Sequence, residues 1–385
     1  MANVIIDDGC LHDIADAIRM KNGASETYMP SEMAAAVYNI DGTGVGENAV
    51  DGMLNKTLRY ARFCSSPRIP PSAFSEFSYL EIAQFDRCST IGAFGFLGCT
   101  ALVSAIFPSC VSIGSYAFAS CSSLTDCSFP ACETIRNSAF AYCRNLSSVE
   151  FPACTRVDEG AFWRCSSLAT VSLPACLSIG SDAFSICSTL SSVYLPVCEE
   201  INPGAFFECS AMAGIDLPEC RLIGSRAFES CRSLESVGIR NCTYIYSSAF
   251  ASCSSLRELD APACLVIDAN AFRGCQSLSV ALLPECSCVY QSAFFGCSSL
   301  SSVSVGRCSY IGANAFMGCV NLTTLNAANV SSVPTLRGGA FSSTPIGGYQ
   351  DVTGRYGRVL VPSSLYESFV TAYMWSDISD RIAPV

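Results

Sequence analysis

Ala139-Phe-Ala-Tyr-Cys-Arg-Asn-Leu-Ser-Ser-Val-Glu-Phe-Pro-Ala-Cys-Thr-Arg-Val-Asp-Glu-Gly160 is one copy of a 22-residue pattern that fills most of this chain. Twelve phenylalanines keep the period without a gap: Phe74, Phe96, Phe118, Phe140, Phe162, Phe184, Phe206, Phe228, Phe250, Phe272, Phe294 and Phe316. Each of the last ten has Ala before it and Cys three residues after it. A fixed period of this length means one supersecondary unit per copy. Such a unit cannot bury its apolar side alone, so the copies must stack and share a core.

Within the quoted copy, Val149 and Phe151 alternate with Ser148 and Glu150, which sends the apolar pair inward and the polar pair out along a short strand. Pro152 ends that strand because it cannot donate the next ladder bond. The Ala-Phe-x-x-Cys stretch forms the opposite wall and is expected to be one helical or 3₁₀ turn. The segment Leu146-x-x-Val149-x-Phe151-x-x-Cys154 fits the spacing of leucine-rich repeats. The expected fold is an α+β repeat solenoid with a small N-terminal helical module.

Composition narrows the function classes. Half of the 385 residues are apolar and 14% are charged, so the chain is not of the disordered class. The net charge of −11 argues against nucleic acid, which calls for basic surface. No apolar run is long enough to enter a bilayer, so no membrane insertion is expected. The first eight residues lack the pattern of a secretory signal, and the expected place of synthesis is a cytoplasm.

Of 26 cysteines, eleven (Cys99 to Cys319) follow the ladder phenylalanines and eleven more (Cys88 to Cys308) lie half a turn away. Only Cys10, Cys64, Cys127 and Cys288 stand outside. Two such ladders are expected to be small buried hydrophobes kept as free thiols. With no Cys-x-x-Cys and one histidine, His12, neither a metal nor any other cofactor is expected.

The chain is expected to divide into four parts. Residues 1–40 hold two short helices with apolar stripes at Leu11, Ile14 and Ile18 and at Met33, Val37 and Ile40, candidates for assembly. Residues 41–62 are a linker and lead-in. Residues 63–330 are the solenoid. Residues 331–385 are a cap: a strand at 358–362, then a Ser-capped helix whose face is Leu365, Phe369, Ala372 and Tyr373.

The repeats, as in Leu168-Ala-Thr-Val-Ser-Leu-Pro-Ala-Cys-Leu-Ser-Ile-Gly-Ser-Asp-Ala-Phe184, resemble the BspA-type leucine-rich repeats of bacterial surface proteins. Ile14-Ala-Asp-Ala-Ile-Arg-Met-Lys-Asn-Gly23 and Met29-Pro-Ser-Glu-Met-Ala34 resemble the N-terminal segment of phage and prophage tail or baseplate proteins. The resemblance implies a recognition protein on a virion tail, binding a host cell-surface glycan or protein. Residues 1–46 would attach it to tail or baseplate partners in a homo-oligomer, with a trimer favoured by likeness to tail fibres. The alternatives are a bacterial cell-surface adhesin and a structural spacer within a tail.

Catalysis is not expected. No nucleophile motif or phosphate loop is present, and the one histidine lies outside the repeats. Carboxylates two repeats apart, such as Asp216 and Glu258, read as solvated surface before they read as a glycosidase pair. Binding candidates are the residues that break the consensus. Beside the ladder Phe these are Trp163, Phe207, Phe295, Met317 and, one position on, Tyr142. On the strand face they are Tyr194, Asp216, Arg257, Glu258 and Asp260. Large aromatics in that setting either anchor a partner or fill gaps between turns. Tyr244, Tyr246 and Tyr290 carry the same two readings.

Overall fold

A computed structural model describes residues 56, 58–63, 67–351 and 353–385. The helices expected in residues 1–40, with Leu11, Ile14, Ile18, Met33, Val37 and Ile40, lie outside the described residues. So do Cys10, Cys64 and most of the lead-in. The chain forms two compact units, one reaching to Cys176 and including Ala183–Val193, the other made of Leu177–Asp182 and Tyr194–Val385. Each is a stack of 22-residue coils, as the period requires.

In the first unit every coil contributes a long strand and a two-residue strand. Tyr60–Phe63, Ile82–Phe85, Ser104–Ile106 and Asp126–Ser128 pair in parallel, as do Ser148–Glu150 and Thr170–Ser172, where Val171 faces Val149. The short strands Arg68–Ile69, Thr90–Ile91, Ser112–Ile113, Thr134–Ile135 and Arg156–Val157 form a second parallel sheet. Its second residues make an Ile/Val column that is buried throughout. Two-residue strands are too short to show alternation, and the sequence offers only that column as their mark.

The core of this unit holds more phenylalanine than the 22-residue ladder accounts for. Phe74, Phe96, Phe118, Phe140, Phe162 and Phe184 stack face to face at 5.0–5.2 Å. Phe85, Phe107, Phe129 and Phe151 form a second ladder eleven residues out of phase, stacked at 5.1–5.7 Å. The two meet edge to face, as Phe85 does with Phe96 at 6.0 Å and 71°. Offset and edge-on pairs satisfy the ring quadrupole, so the double ladder packs like a herringbone. Phe77 stands where later copies carry Cys and closes the first coil edge-on to Phe74 at 5.6 Å.

The opposite wall is not a helical turn, and this corrects the expectation. Two positions in each coil, two before and two after the ladder Phe, have left-handed backbone; around Phe140 they are Ser138 (φ 54°) and Tyr142 (φ 63°). The flipped peptides aim alternate N–H groups at the next coil: Ser138 donates to Glu159 O at 2.8 Å, Phe140 to Ala161 O at 2.7 Å and Tyr142 to Trp163 O at 2.8 Å. The residues between them bond back within their own coil, as Ala141 does to Ser138 O at 3.1 Å. A helical turn would have pointed every N–H along its own axis and left the coils unlinked here. The repeat solenoid is as expected, but the α+β description fits it only loosely, because its walls are strand and turn and, among the described residues, helix is confined to the cap.

Left-handed backbone costs a residue other than glycine about 1–2 kcal/mol. Gly98, Gly160, Gly204, Gly274, Gly296 and Gly318 avoid that cost, whereas Ile186, β-branched at φ 62°, bears it in full. Ile186→Gly is therefore expected to stabilise the protein by about 0.5–1 kcal/mol, net of the glycine's greater freedom in the unfolded chain. The shift in the urea midpoint measures it, and a lower midpoint would show that the side chain contributes packing that outweighs the strain.

The second unit repeats the plan with a different core. Its short strands run from Ser178–Ile179 through Glu200–Ile201, Leu222–Ile223, Tyr244–Ile245, Val266–Ile267, Cys288–Val289 and Tyr310–Ile311 to Thr335–Leu336. Phe206 to Phe316 stack at 5.1–5.3 Å, but Leu217, Ile239, Ala261, Leu283, Val305 and Ala327 stand where the first unit has its second phenylalanine ladder. Phe341 arrives three residues late and still stacks on Phe316 at 5.6 Å.

The cap departs from expectation. Arg358–Val361 is the expected strand, pairing with Thr324–Asn326, and a further strand, Ile382–Pro384, pairs outside it. Ser363 caps nothing; its hydroxyl donates to Val385 O at 3.0 Å, and the α-helix is only Tyr366–Thr371, after a 3₁₀ turn at Ser363–Leu365. Phe369 is buried as expected, but Tyr373 is 84% exposed. The residue that closes the core is Trp375, edge-on to Phe369 at 5.1 Å and donating from Nε1 to Pro334 O at 2.7 Å.

Both cysteine ladders are buried and act as hydrogen-bond donors. Cys143 Sγ donates to Phe118 O of the preceding coil at 3.1 Å, and this contact recurs from Cys99 to Cys319. In the other ladder Cys154 Sγ donates to Arg156 O at 3.3 Å. Burial pushes Cys88 up to about 11 and Cys132 to about 12.

Candidate functional site

The aromatics beside the ladder are half-buried on the turn wall, each beneath an arginine. Tyr142 and Trp163 come together, ring centres 4.9 Å apart and edge to face, with Arg144 over Tyr142 at 5.8 Å and Arg164 over Trp163 at 5.0 Å. In the second unit Arg226 covers Phe207 at 4.6 Å and Arg273 covers Phe295 at 5.2 Å. Met317 is half-buried in the coil next to Phe295, and Phe207 stands four coils away. Arginine guanidiniums over these rings already occupy a ring face that a partner would use. The gap-filling role describes them better than a shared binding patch.

On the long-strand face Asp216, Arg257, Glu258 and Asp260 are exposed, and Tyr194 is 56% exposed. Arg257 pairs with Glu235 of the preceding coil at 3.0 Å and not with its neighbour Glu258. Asp216 lies over Gly238, where a Cβ would stand 2.0 Å from its Oδ1. The carboxylates stand apart on an open sheet. Among the described residues no three His, Cys, Asp or Glu side chains are grouped to hold a metal.

The short-strand face carries the residues that converge. In the first unit its leading positions are Arg68, Thr90, Ser112, Thr134 and Arg156, a polar column. In the second unit five successive coils present Leu222, Tyr244, Val266, Cys288 and Tyr310 in register. Two residues further along each coil runs a parallel column: Gly224, Tyr246, Asp268, Tyr290 and Gly312. Tyr246 and Tyr290 are 37% and 39% exposed, one coil to either side of Asp268. Tyr244 packs on Tyr246 with ring centres 4.2 Å apart, and Tyr290 on Tyr310 at 5.6 Å. At Gly224 and Gly312 a side chain would meet backbone within 2.6 Å, so the patch ends in bare main chain at both sides.

Asp268 faces both tyrosine pairs. Its Oδ1 accepts the Ala269 N–H at 2.6 Å, and its negative charge helps to hold the Tyr244 and Tyr290 phenols above their ordinary value. Burial is the leading cause at Tyr244, and the neighbouring Cys288 at Tyr290. Tyr244, Tyr246 and Tyr290 stood out in the sequence as departures from small residues. Tyr310, Asp268 and the apolar column did not, because positions 22 residues apart show no patch until the register aligns them.

The sequence matches the profile of the "BspA type Leucine rich repeat region" in six copies, over residues 67–191, 155–279 and 221–347. No curated protein matches it. Among solved structures, a leucine-rich repeat protein of Bacteroides ovatus is 20% identical with a TM-score of 0.44, the match covering 77% of this chain and 88% of that one. A leucine-rich cell surface protein of Faecalibacterium prausnitzii is 21% identical over 69% of this chain and 83% of its own, with a TM-score of 0.33. The leucine-rich repeat protein of T. pallidum is 25% identical over 49% and 78%, with a TM-score of 0.31.

Proposed function

The chain belongs to the BspA-type leucine-rich-repeat family, and from that premise we propose that it is a non-enzymatic recognition protein attaching to a cell surface through its solenoid. One observation carries the proposal: the stripe of exposed Tyr246 and Tyr290 and half-buried Tyr244 and Tyr310 around Asp268, on a face that is polar in the first unit. Tyrosine is enriched where one surface grips another, since a stiff ring buries much area and loses few rotamers. The stripe would meet a host receptor, either protein or glycan.

The segments near residues 14–34 that resemble tail and baseplate proteins favour a virion tail as the carrier. Leu11, Ile14, Ile18, Met33, Val37 and Ile40 would join copies there, in a trimer, and linked copies gain avidity by ~10²–10⁴ without a new contact. The second reading is a bacterial cell-surface adhesin, favoured by the description of the Faecalibacterium relative as a cell surface protein.

The test is attachment of the labelled full chain to bacterial and to animal cells, beside Tyr246→Ser/Tyr290→Ser. Loss of attachment in the double variant, with an unchanged melting temperature, is the expected result. Attachment that ignores the change would remove the stripe from the function, and attachment to no cell would leave a spacer. Gold-labelled antibody on tail tips or on the cell envelope separates the two carriers.

A further inference from the structure

Asp158 and Asp268 occupy the same place in their coils, four residues before the ladder Phe, and their surroundings differ in one respect. Asp158, 7% exposed, is held by two arginines: Arg156 Nε at 2.6 Å and Arg136 Nη1 at 3.7 Å. The positions equivalent to Arg136 and Arg156 beside Asp268 are Tyr246 and Val266. Among the described residues Asp268 has no ion pair.

Aromatic rings tell the same story. Tyr142, Trp163, Phe207, Phe295, Tyr310 and Tyr356 each lie beneath an arginine of this chain. Among the described residues no cation lies over Tyr244, Tyr246 or Tyr290, although these rings flank a carboxylate. A guanidinium is planar, weakly hydrated and attracted both to ring faces and to carboxylates, so rings and an anion together select it. The chain's charge of −11 points the same way, toward a basic partner.

We infer that the surface cluster of Tyr244, Tyr246, Asp268 and Tyr290 is the seat for an arginine side chain of the partner protein. The inference rests on the recognition reading above and deepens it by naming the partner as a protein with an exposed basic segment. The guanidinium would stack on the rings of Tyr246 or Tyr290 and donate to Asp268, reproducing between molecules what Arg136 and Arg156 do for Asp158 within the chain.

The probe is a fluorescent nona-arginine peptide titrated into the full chain at physiological salt, with nona-lysine and a choline-bearing peptide as comparisons. Asp268→Asn keeps the acceptor for Ala269 and removes the charge; it is expected to weaken binding about tenfold. Glu150→Gln, at an exposed carboxylate on a long strand, should change it less than twofold. Tyr246→Arg supplies in cis the cation that Asp158 already has, and should abolish binding while leaving the fold at least as stable.

Equal losses in Asp268→Asn and Glu150→Gln would overturn the inference, because general charge attraction would then explain the binding. Tighter binding of nona-lysine or of the choline peptide would overturn the choice of arginine. If wild type ignores nona-arginine while cell attachment still requires Tyr246 and Tyr290, the inference fails and the recognition reading stands. If attachment is indifferent to those tyrosines, that reading fails first.

Discussion

Raising the pH from 7 to 9.5 in the presence of reductant is expected to unfold this protein. Seventeen ladder thiols are held above the ordinary cysteine value, the least displaced of those with a definite value at about 11. In the unfolded chain they titrate near 8.5. Below about pH 7.5 both states keep their protons and nothing is lost. Above that, the unfolded chain sheds protons that the folded chain retains, so stability falls as pH rises.

The size follows from the number of groups. Together they cost roughly 3 kcal/mol at pH 8 and on the order of 14 kcal/mol at pH 9. A typical domain is stable by ~5–15 kcal/mol, so the transition should be complete before pH 10. Circular dichroism against pH measures it. The same thiols should resist alkylation in the native protein at pH 7.5 and react together in urea. A fold that persists to pH 11, or disulfides between successive coils in protein kept from oxidants, would show that the ladders are not buried thiols.

The second large effect is in the herringbone core. Phe140 touches four rings, Phe118 and Phe162 face to face and Phe129 and Phe151 at an angle. Phe140→Ala is expected to cost ~4–5 kcal/mol, at the upper end for such a truncation because stacked rings cannot close the void. Among the described residues Phe294 stacks only on Phe272 and Phe316 at 5.3 Å, with aliphatic residues in place of a second ladder. Each ring pair is worth about 0.5–1.5 kcal/mol and Phe140 has two more than Phe294, so Phe294→Ala should cost about 1–3 kcal/mol less than Phe140→Ala. Urea melts of both variants decide it; equal costs would mean that the second ladder adds area and no ring geometry.

The period of 22 made the coil, the ladder phenylalanines and the paired cysteine columns legible in the sequence. It also marked Phe77 as the substitute for Cys in the opening copy, and the apolar run at 358–362 marked the strand Arg358–Val361. The turn wall was hidden because its left-handed positions hold Ser138, Tyr142, Ile186 and Arg226 as often as glycine, and such residues give no sign of that backbone. The second phenylalanine ladder ends after Phe151, where Leu173 takes over, and a short run among aliphatics does not stand out. Trp375 closes the core from a segment whose helix is much shorter than its apolar spacing suggested.

The candidate site was hidden for a different reason. Large residues beside the ladder Phe drew the eye to Trp163, Phe207 and Phe295, yet an in-chain arginine already covers each of them. The converging residues, Tyr244, Tyr246, Asp268, Tyr290 and Tyr310, are spread over 67 positions of sequence and meet only through the parallel register of two-residue strands. The contrast between Asp158 and Asp268 needs that register as well, since in sequence both are merely aspartates before a phenylalanine.

Tyrosine-selective nitration of the full chain, free and bound to cells, tests the central claim most directly. Recognition through the short-strand face predicts that Tyr246 and Tyr290 are modified in the free protein and protected on the cell, while exposed Tyr79, Tyr194 and Tyr373 react equally in both states. Protection at Tyr194 with Tyr246 and Tyr290 unchanged would contradict it and move the contact to the long-strand face.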